Sequence, residues 1–150
     1  IARYYHPYQA AVADVIDGAL AAGVSPVLVS VHSFTPCWRG RPRPWHAGIL
    51  WDRDPRLARP LLAHLRADPT LVVGDNEPYR GALKGDCLWR HGTSRGLAHA
   101  LVEIRQDLIA SEAGEKDWVD RLADAISGSL AAPGADADLR AVRFYGSHTD

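Results

Sequence analysis

A histidine, a glutamate and an arginine lie where apolar segments end or are interrupted, and those residue types could bind a metal ion, move protons or hold an anion. In "SPVLVSVHS" a β-branched run closes on His32, and in "LVEIRQDL" Glu103 sits inside an apolar run with Arg105 two residues further on. A neutral imidazole at a strand end is a good zinc ligand or general base. An ionised carboxylate within an apolar strand is costly unless it is paired or functional. Burial would raise its pKa toward the range that suits proton transfer. In a regular strand Glu103, Arg105 and Asp107 share one face. Plainer roles stand beside these. His32 lacks an accompanying H-E-x-x-H pattern and could simply bond a neighbouring loop. Arg105 could be spent on an internal ion pair with Glu103 or Asp107.

The loop "WRGRPRPWH" is a second candidate. Arg39, Arg41 and Arg43 could clamp an anionic substrate between Trp38 and Trp45. Contact with phosphate or RNA is a rival, as is a solvated loop. Asn76 follows the apolar run "TLVVGD", so it too stands at a strand end. Cys37 is close to His32 in sequence, but a cysteine nucleophile needs a base adjacent in space. "RHGTSRG" suggests tight backbone approach at Gly92 and Gly96. Its GxxxxG spacing lacks the Lys-Ser/Thr of a phosphate loop, so nucleotide binding is not read from it.

Alternating elements must position these residues. A helix is predicted over 3–22, with Tyr4, Tyr8, Ala11, Val15 and Leu20 near one face and Gly23 as C-cap. Strands are predicted at "SPVLVSVHS", "HAGILWD", "TLVVGDN" and "HALVEIRQDL". Residues 33–45 and "EPYRGALKGD" read as loops. Asp54 is expected to N-cap a helix that has Pro55 first and runs to about Arg66. A last helix is expected from about Gly114 to Leu130. This order indicates an α/β domain with a mostly parallel sheet and helices on both faces. Ligands of such sheets bind beyond the carboxyl ends of strands, so three strands are expected to bring His32, Asn76 and the Glu103 cluster to one edge. The domain is expected over 1–130, with 131–150 as a loose tail.

Composition narrows the class. In 150 residues, 17 Lys+Arg balance 18 Asp+Glu, which argues against a general nucleic-acid binder or a polybasic membrane surface. Nearly all the positive charge is arginine, which suits bidentate carboxylate recognition but is also favoured by GC-rich coding. Cys37 and Cys87 are the only cysteines and form no C-x-x-C pair, so a reducing cytoplasm is the expected compartment. No stretch is long and apolar enough to span a membrane. The chain starts at Ile1 and contains no methionine, as expected of a fragment, a processed chain or the ordered part of a longer one.

Taken in order, "YYHPYQAAV", "VSVHSFTPCWRGRPRPWHAGILWDRD", "VGDNEPYRG" and "RHGTSRGLAHALVEIRQDLI" resemble the C-terminal portion of the N-formylglutamate amidohydrolase (N-formylglutamate deformylase-like) family. The resemblance covers about residues 3–126. It implies a zinc-exopeptidase-like (phosphorylase/hydrolase-like) α/β fold. The implied activity is metal-dependent hydrolysis of the amide bond of a small N-acyl amino acid such as N-formylglutamate. It further implies that His32 is a ligand of one Zn²⁺ per chain and that Glu103 is general base and acid. Arg105 would then face the substrate carboxylate, with Asn76, Tyr79 and Arg39 around the substrate. The further zinc ligands are expected outside this chain. "HPYQ" carries Gln9 at about the place where the family leads one to expect a histidine, and Ser30 stands where many deformylases carry aspartate. Both departures point to a subgroup whose substrate need not be formylglutamate. The alternatives are a zinc carboxypeptidase, a cell-wall amidase-like enzyme, or a non-catalytic carboxylate-binding relative. The expected partner is a small-molecule carboxylate substrate, with no nucleic acid and no membrane.

Overall fold

A computed structural model describes residues 1–149. Helix α1 spans Tyr5–Ala21, and strand β1 spans Leu28–Phe34. A small hairpin follows, β2 at Cys37–Trp38 and β3 at Arg41–Pro42, and then β4 at Ala47–Leu50. Next come α2 at Ala58–Arg66, β5 at Val73–Asp75, the short α3 at Cys87–His91 and β6 at His99–Arg105. The chain closes with α4 at Glu112–Ala131 and α5 at Ala135–Leu139. The main sheet has the order β1-β6-β4-β5. The β1–β6 and β4–β5 pairs are parallel, and β4 runs antiparallel to β6. The fold is therefore α/β with a mostly parallel sheet, as the alternation of elements predicts.

Period-2 alternation in β6 divides the sheet into two faces. Ala100, Val102 and Ile104, with Ala47 and Ile49 of β4, pack into the core against Leu61 and Leu65 of α2 and Trp118, Leu122 and Ala125 of α4. His99, Leu101 and Glu103 project to the other face, which α3 partly covers. Helices thus lie on both faces, and β6 sits between the core and the cleft described below.

Several local expectations change. The inward stripe of α1 runs through Gln9, Val12, Ala13, Ile16 and Leu20, whereas Tyr4, Tyr8 and Val15 are 72%, 58% and 75% exposed. The spacing is helical, but the phase is set by a polar residue: Gln9 faces inward because its Oε1 meets His91 Nε2 at 2.7 Å. The short helix α3 falls between stretches read as loop and strand. The hairpin interrupts the loop expected over 33–45. Its two-residue turn has Arg39 and Gly40 at φ 50° and 77°, the left-handed conformation that two-residue hairpin turns require.

Asp54 does not cap α2. Leu57 occupies that position, without a side-chain cap. Asp54 instead grips Arg56, with Nε and Nη2 at 2.9 and 2.6 Å from its carboxylate oxygens. The Arg56 guanidinium also donates to the carbonyls of Gly96, Asp138 and Ala141. Residues 131–149 are accordingly no loose tail. They contain α5, Leu139 and Ser147 are buried, and Arg143 N donates to Gly96 O at 2.8 Å. An arginine in the middle of the chain holds its end, a contact that no local pattern could reveal.

The Asp54–Arg56 pair is nearly inaccessible, with side chains 6% and 1% exposed. Removing one partner of a buried pair leaves an uncompensated charge. Arg56→Ala is therefore expected to lower unfolding free energy by about 3–5 kcal/mol in denaturant titration. A loss under about 1 kcal/mol, the range of an exposed pair, would contradict this role.

Candidate active site

Parallel pairing of β1 with β6 places His32 directly opposite Glu103, with Nδ1 and Oε1 3.9 Å apart. Glu103 is 5% exposed, and its Oε2 has no hydrogen-bond partner among the described residues. Burial pushes the Glu103 carboxyl above the usual range, and the charges of His32 and Arg43 only partly offset this. The pair lies in a cleft of about 250 Å³ whose floor includes Ser30, Leu101 and His99.

One wall comes from the loop after β5. Gly48 pairs with Glu103 across β4 and β6 and with Gly74 across β4 and β5. A Cβ on Gly48 would come within 1.9 Å of Glu77 O, and one on Gly74 within 2.7 Å of Glu77 Cβ. The two glycines thus leave room for residues 77–78 to lie directly on the sheet beside Glu103. Asn76, at φ 54°, fixes this loop. Its Oδ1 accepts from Trp51 N at 3.0 Å and from Gly81 N at 2.9 Å. Asparagine tolerates the left-handed region better than most residues. Tyr79, Arg80 and Gly81 then line the cleft opposite His32.

The second wall is α3. Asp86 caps it by accepting from Trp89 N at 2.6 Å, and Asp86, Cys87, Leu88 and Trp89 line the cleft. Burial raises the Asp86 carboxyl, opposed by the Trp89 hydrogen bond and by the charges of His99 and His32. Both nitrogens of His99 are engaged, Nδ1 with Leu97 O at 2.8 Å and Nε2 with Thr93 Oγ1 at 3.1 Å. A ring so held serves as a wall.

The residues expected at the site separate into two groups. His32, Glu103 and Tyr79 come together at the cleft; Arg105, Asn76 and Arg39 do not line it. Strand β6 ends at Arg105, and the turn at Gln106–Ile109 brings Asp107 back. Arg105 Nε then lies 2.7 Å from Asp107 Oδ1, the ion pair that was the plainer reading. Arg39 occupies the hairpin tip, its guanidinium 5.7 Å from the Trp38 ring centre. The expectation of three strand ends at one edge is corrected. Because β4 pairs antiparallel to β6, β4 and β5 end at the opposite edge, and Asn76 acts as a staple for the wall. Asp86, Arg80 and His99 line the cleft and were not read as site residues, whereas Arg43 was read only as one of three equivalent arginines in its loop. Asp86 carried a legible cap signal ahead of "CLWRH". For Arg43, only the fold shows which arginine of the loop turns inward: its Nη1 donates to Tyr79 Oη at 3.0 Å.

A catalytic zinc usually takes three protein ligands. His32 offers one nitrogen beside the unpartnered oxygen of Glu103. Among the described residues no group of three His, Cys, Asp or Glu side chains is placed to hold a metal ion. The described residues therefore do not by themselves form a complete zinc site.

Residues 1–110 match the family model of N-formylglutamate amidohydrolase. The solved structure of a gene product from Agrobacterium tumefaciens is 35% identical, covers 86% of this chain and superposes with a TM-score of 0.79. An N-formylglutamate amidohydrolase from Ralstonia eutropha JMP134 is 24% identical over 91% of this chain, with a TM-score of 0.60, a likeness of fold. The chain spans 51% and 53% of the lengths of those two proteins. No curated protein matches it. No helix among the described residues is long and apolar enough to cross a membrane.

Asp52, at the cleft's rim, is buried and accepts from Ser147 Oγ, His148 N and the His148 imidazole. Burial pushes its carboxyl up, but these donors outweigh that and leave it below the ordinary value. A carboxyl depressed in the folded state contributes its stability in full above the unfolded pKa of about 4 and loses it as pH falls through the folded value. Acidification below about pH 4 is thus expected to release residues 140–149, read as loss of amide-exchange protection. In Asp52→Asn the same protection should be weak already at neutral pH. Protection independent of pH and unchanged in Asp52→Asn would remove Asp52 from this contact.

Proposed function

The chain belongs to the N-formylglutamate amidohydrolase family, and from that premise we propose that it hydrolyses the amide bond of a small N-acyl amino acid, with Glu103 as proton carrier. The observation that supports this most is the buried Glu103 carboxylate in register with His32, one of its oxygens free, at the floor of a cleft.

Amide hydrolysis needs a proton taken from water as it attacks the carbonyl and a proton given to the leaving nitrogen. A single carboxylate can do both in turn. Glu103 suits this because it is held by strand pairing and, among the described residues, nothing hydrogen-bonds its Oε2. Burial raises its affinity for a proton above that of an exposed glutamate, which makes it a better acceptor of a proton from water. Trp51, Leu88 and Trp89 give the cleft apolar lining, and the 5% exposure of Glu103 limits its contact with solvent and strengthens local electrostatics. Arg43 lies near enough for its charge to act on Glu103, and it steadies the Tyr79 hydroxyl at the cleft wall.

Zinc enters this proposal through His32, as one ligand of an ion completed by groups outside the described residues. Such an ion would supply Lewis-acid polarisation of the carbonyl and a more acidic water.

Glu103→Gln is expected to lower kcat on N-formyl amino acids by a factor of roughly 10² or more, with the fold intact by circular dichroism. Near-normal turnover would remove Glu103 from the mechanism; binding without turnover in the unaltered protein would favour a carboxylate-binding relative. Metal analysis checks the zinc proposal separately. About one zinc per chain is expected in a protein that includes those further ligands, and almost none when it carries His32→Ala. Zinc content unchanged by that substitution would exclude His32 as a ligand.

A further inference from the structure

Next to the catalytic cleft is a second groove of about 320 Å³. The two share Trp51, Asp52, Arg80 and Gly81, and the groove adds Asn76, Ala82 and His148. They are therefore one depression with a waist. The cleft at about 250 Å³ has room for a small acyl amino acid, while cleft and groove together reach the range of roughly 300–1,000 Å³ typical of sites for larger ligands. We infer that the groove is a second subsite, which takes the anionic end of a substrate longer than one N-acyl amino acid, with Arg80 as its cation. The inference rests on the proposed hydrolysis for the reacting end of that substrate.

Charge and geometry both support it. Among the described residues the Arg80 guanidinium has no hydrogen-bond or ion-pair partner. The nearby carboxylates are already engaged: Asp52 by Ser147 and His148, and Asp75 by Trp51 Nε1 at 2.6 Å. A planar guanidinium with open donors matches a carboxylate with two parallel hydrogen bonds. The backbone beneath Arg80 is fixed. Gly81 N donates to Asn76, and Gly81 lies so close to the chain that a Cβ would come within 2.2 Å of Trp51 N. The side chain therefore pivots from a rigid point at the waist, within reach of either compartment. The far wall, His148, lies beyond residues 1–110 matched to the family, so the groove is completed by a segment that the family match does not include.

The experiment compares N-formyl dipeptides ending in a free carboxylate with the same dipeptides as C-terminal amides, which differ in charge and little in size. The unaltered protein should prefer the carboxylate form in kcat/KM. That preference should fall about tenfold or more in Arg80→Ala, the effect of losing a charge-assisted hydrogen bond, and be partly kept in Arg80→Lys. No preference in the unaltered protein, or a preference within about twofold of normal in Arg80→Ala, well short of one such bond, overturns the subsite. If the protein hydrolyses neither form, the proposed function fails on its own, and the subsite is then read by calorimetry with Glu103→Gln. Tighter binding of the carboxylate form that disappears on adding Arg80→Ala upholds it; equal binding of both forms overturns it.

Discussion

Parallel pairing of β1 with β6 aligns His32 with Glu103, and a slip of one residue would turn either side chain to the opposite face of the sheet. The hydrophobic face opposes such a slip. Val102 and Ile104 are buried against α2 and α4, so moving β6 by one position would expose them and bury Glu103 among apolar helices. The energy that holds the register comes from the core, and its consequence is felt on the other face. Glu103 can remain dehydrated because strand pairing on both sides gives it nowhere to withdraw.

The cleft wall depends on the absence of side chains as much as on their presence. Gly48 and Gly74 open a strip of bare backbone beside Glu103, and the segment around Glu77 occupies it. Asn76 then ties that segment to β4 through the N–H groups of Trp51 and Gly81. This explains why "VGDNEPYRG" carries polar and small residues together. The glycines permit close approach, the asparagine supplies an acceptor in a left-handed turn, and the following residues are presented to the cleft. Asn76 thereby shapes the cleft that holds Glu103 without lining it.

The end of the chain belongs to the same architecture. Arg56 gathers the carbonyls of Gly96, Asp138 and Ala141, and Asp52 gathers donors from Ser147 and His148. Asp52 and Asp54 lie just beyond β4, so one short stretch anchors the terminal segment at two points and borders the cleft. Stability of that segment and shape of the groove are thereby linked.

Read alone, the sequence determined the kinds of element, the α/β class and the pairing of chemistry-bearing residues with strands. Hydrophobic periodicity and turn residues act locally, and local rules are enough for that. His32 and Glu103 were legible because a polar residue that ends or breaks an apolar run stands out in one dimension, whereas Tyr79 came only from the family resemblance. The direction of β4, the phase of α1, the docking of residues 140–149 and the inward turn of Arg43 rather than Arg39 were decided by tertiary structure. Each depends on a partner far away in sequence: β6 for β4, His91 for Gln9, Arg56 and Asp52 for the terminal segment, Tyr79 for Arg43. Arg105 shows the same limit: strand parity put it on one face with Glu103 and Asp107, the family resemblance assigned it to a substrate carboxylate, and a turn brings Asp107 back to pair with it. Spacing along a chain reveals which groups can share a face; which of them find a partner first is settled only when distant segments meet.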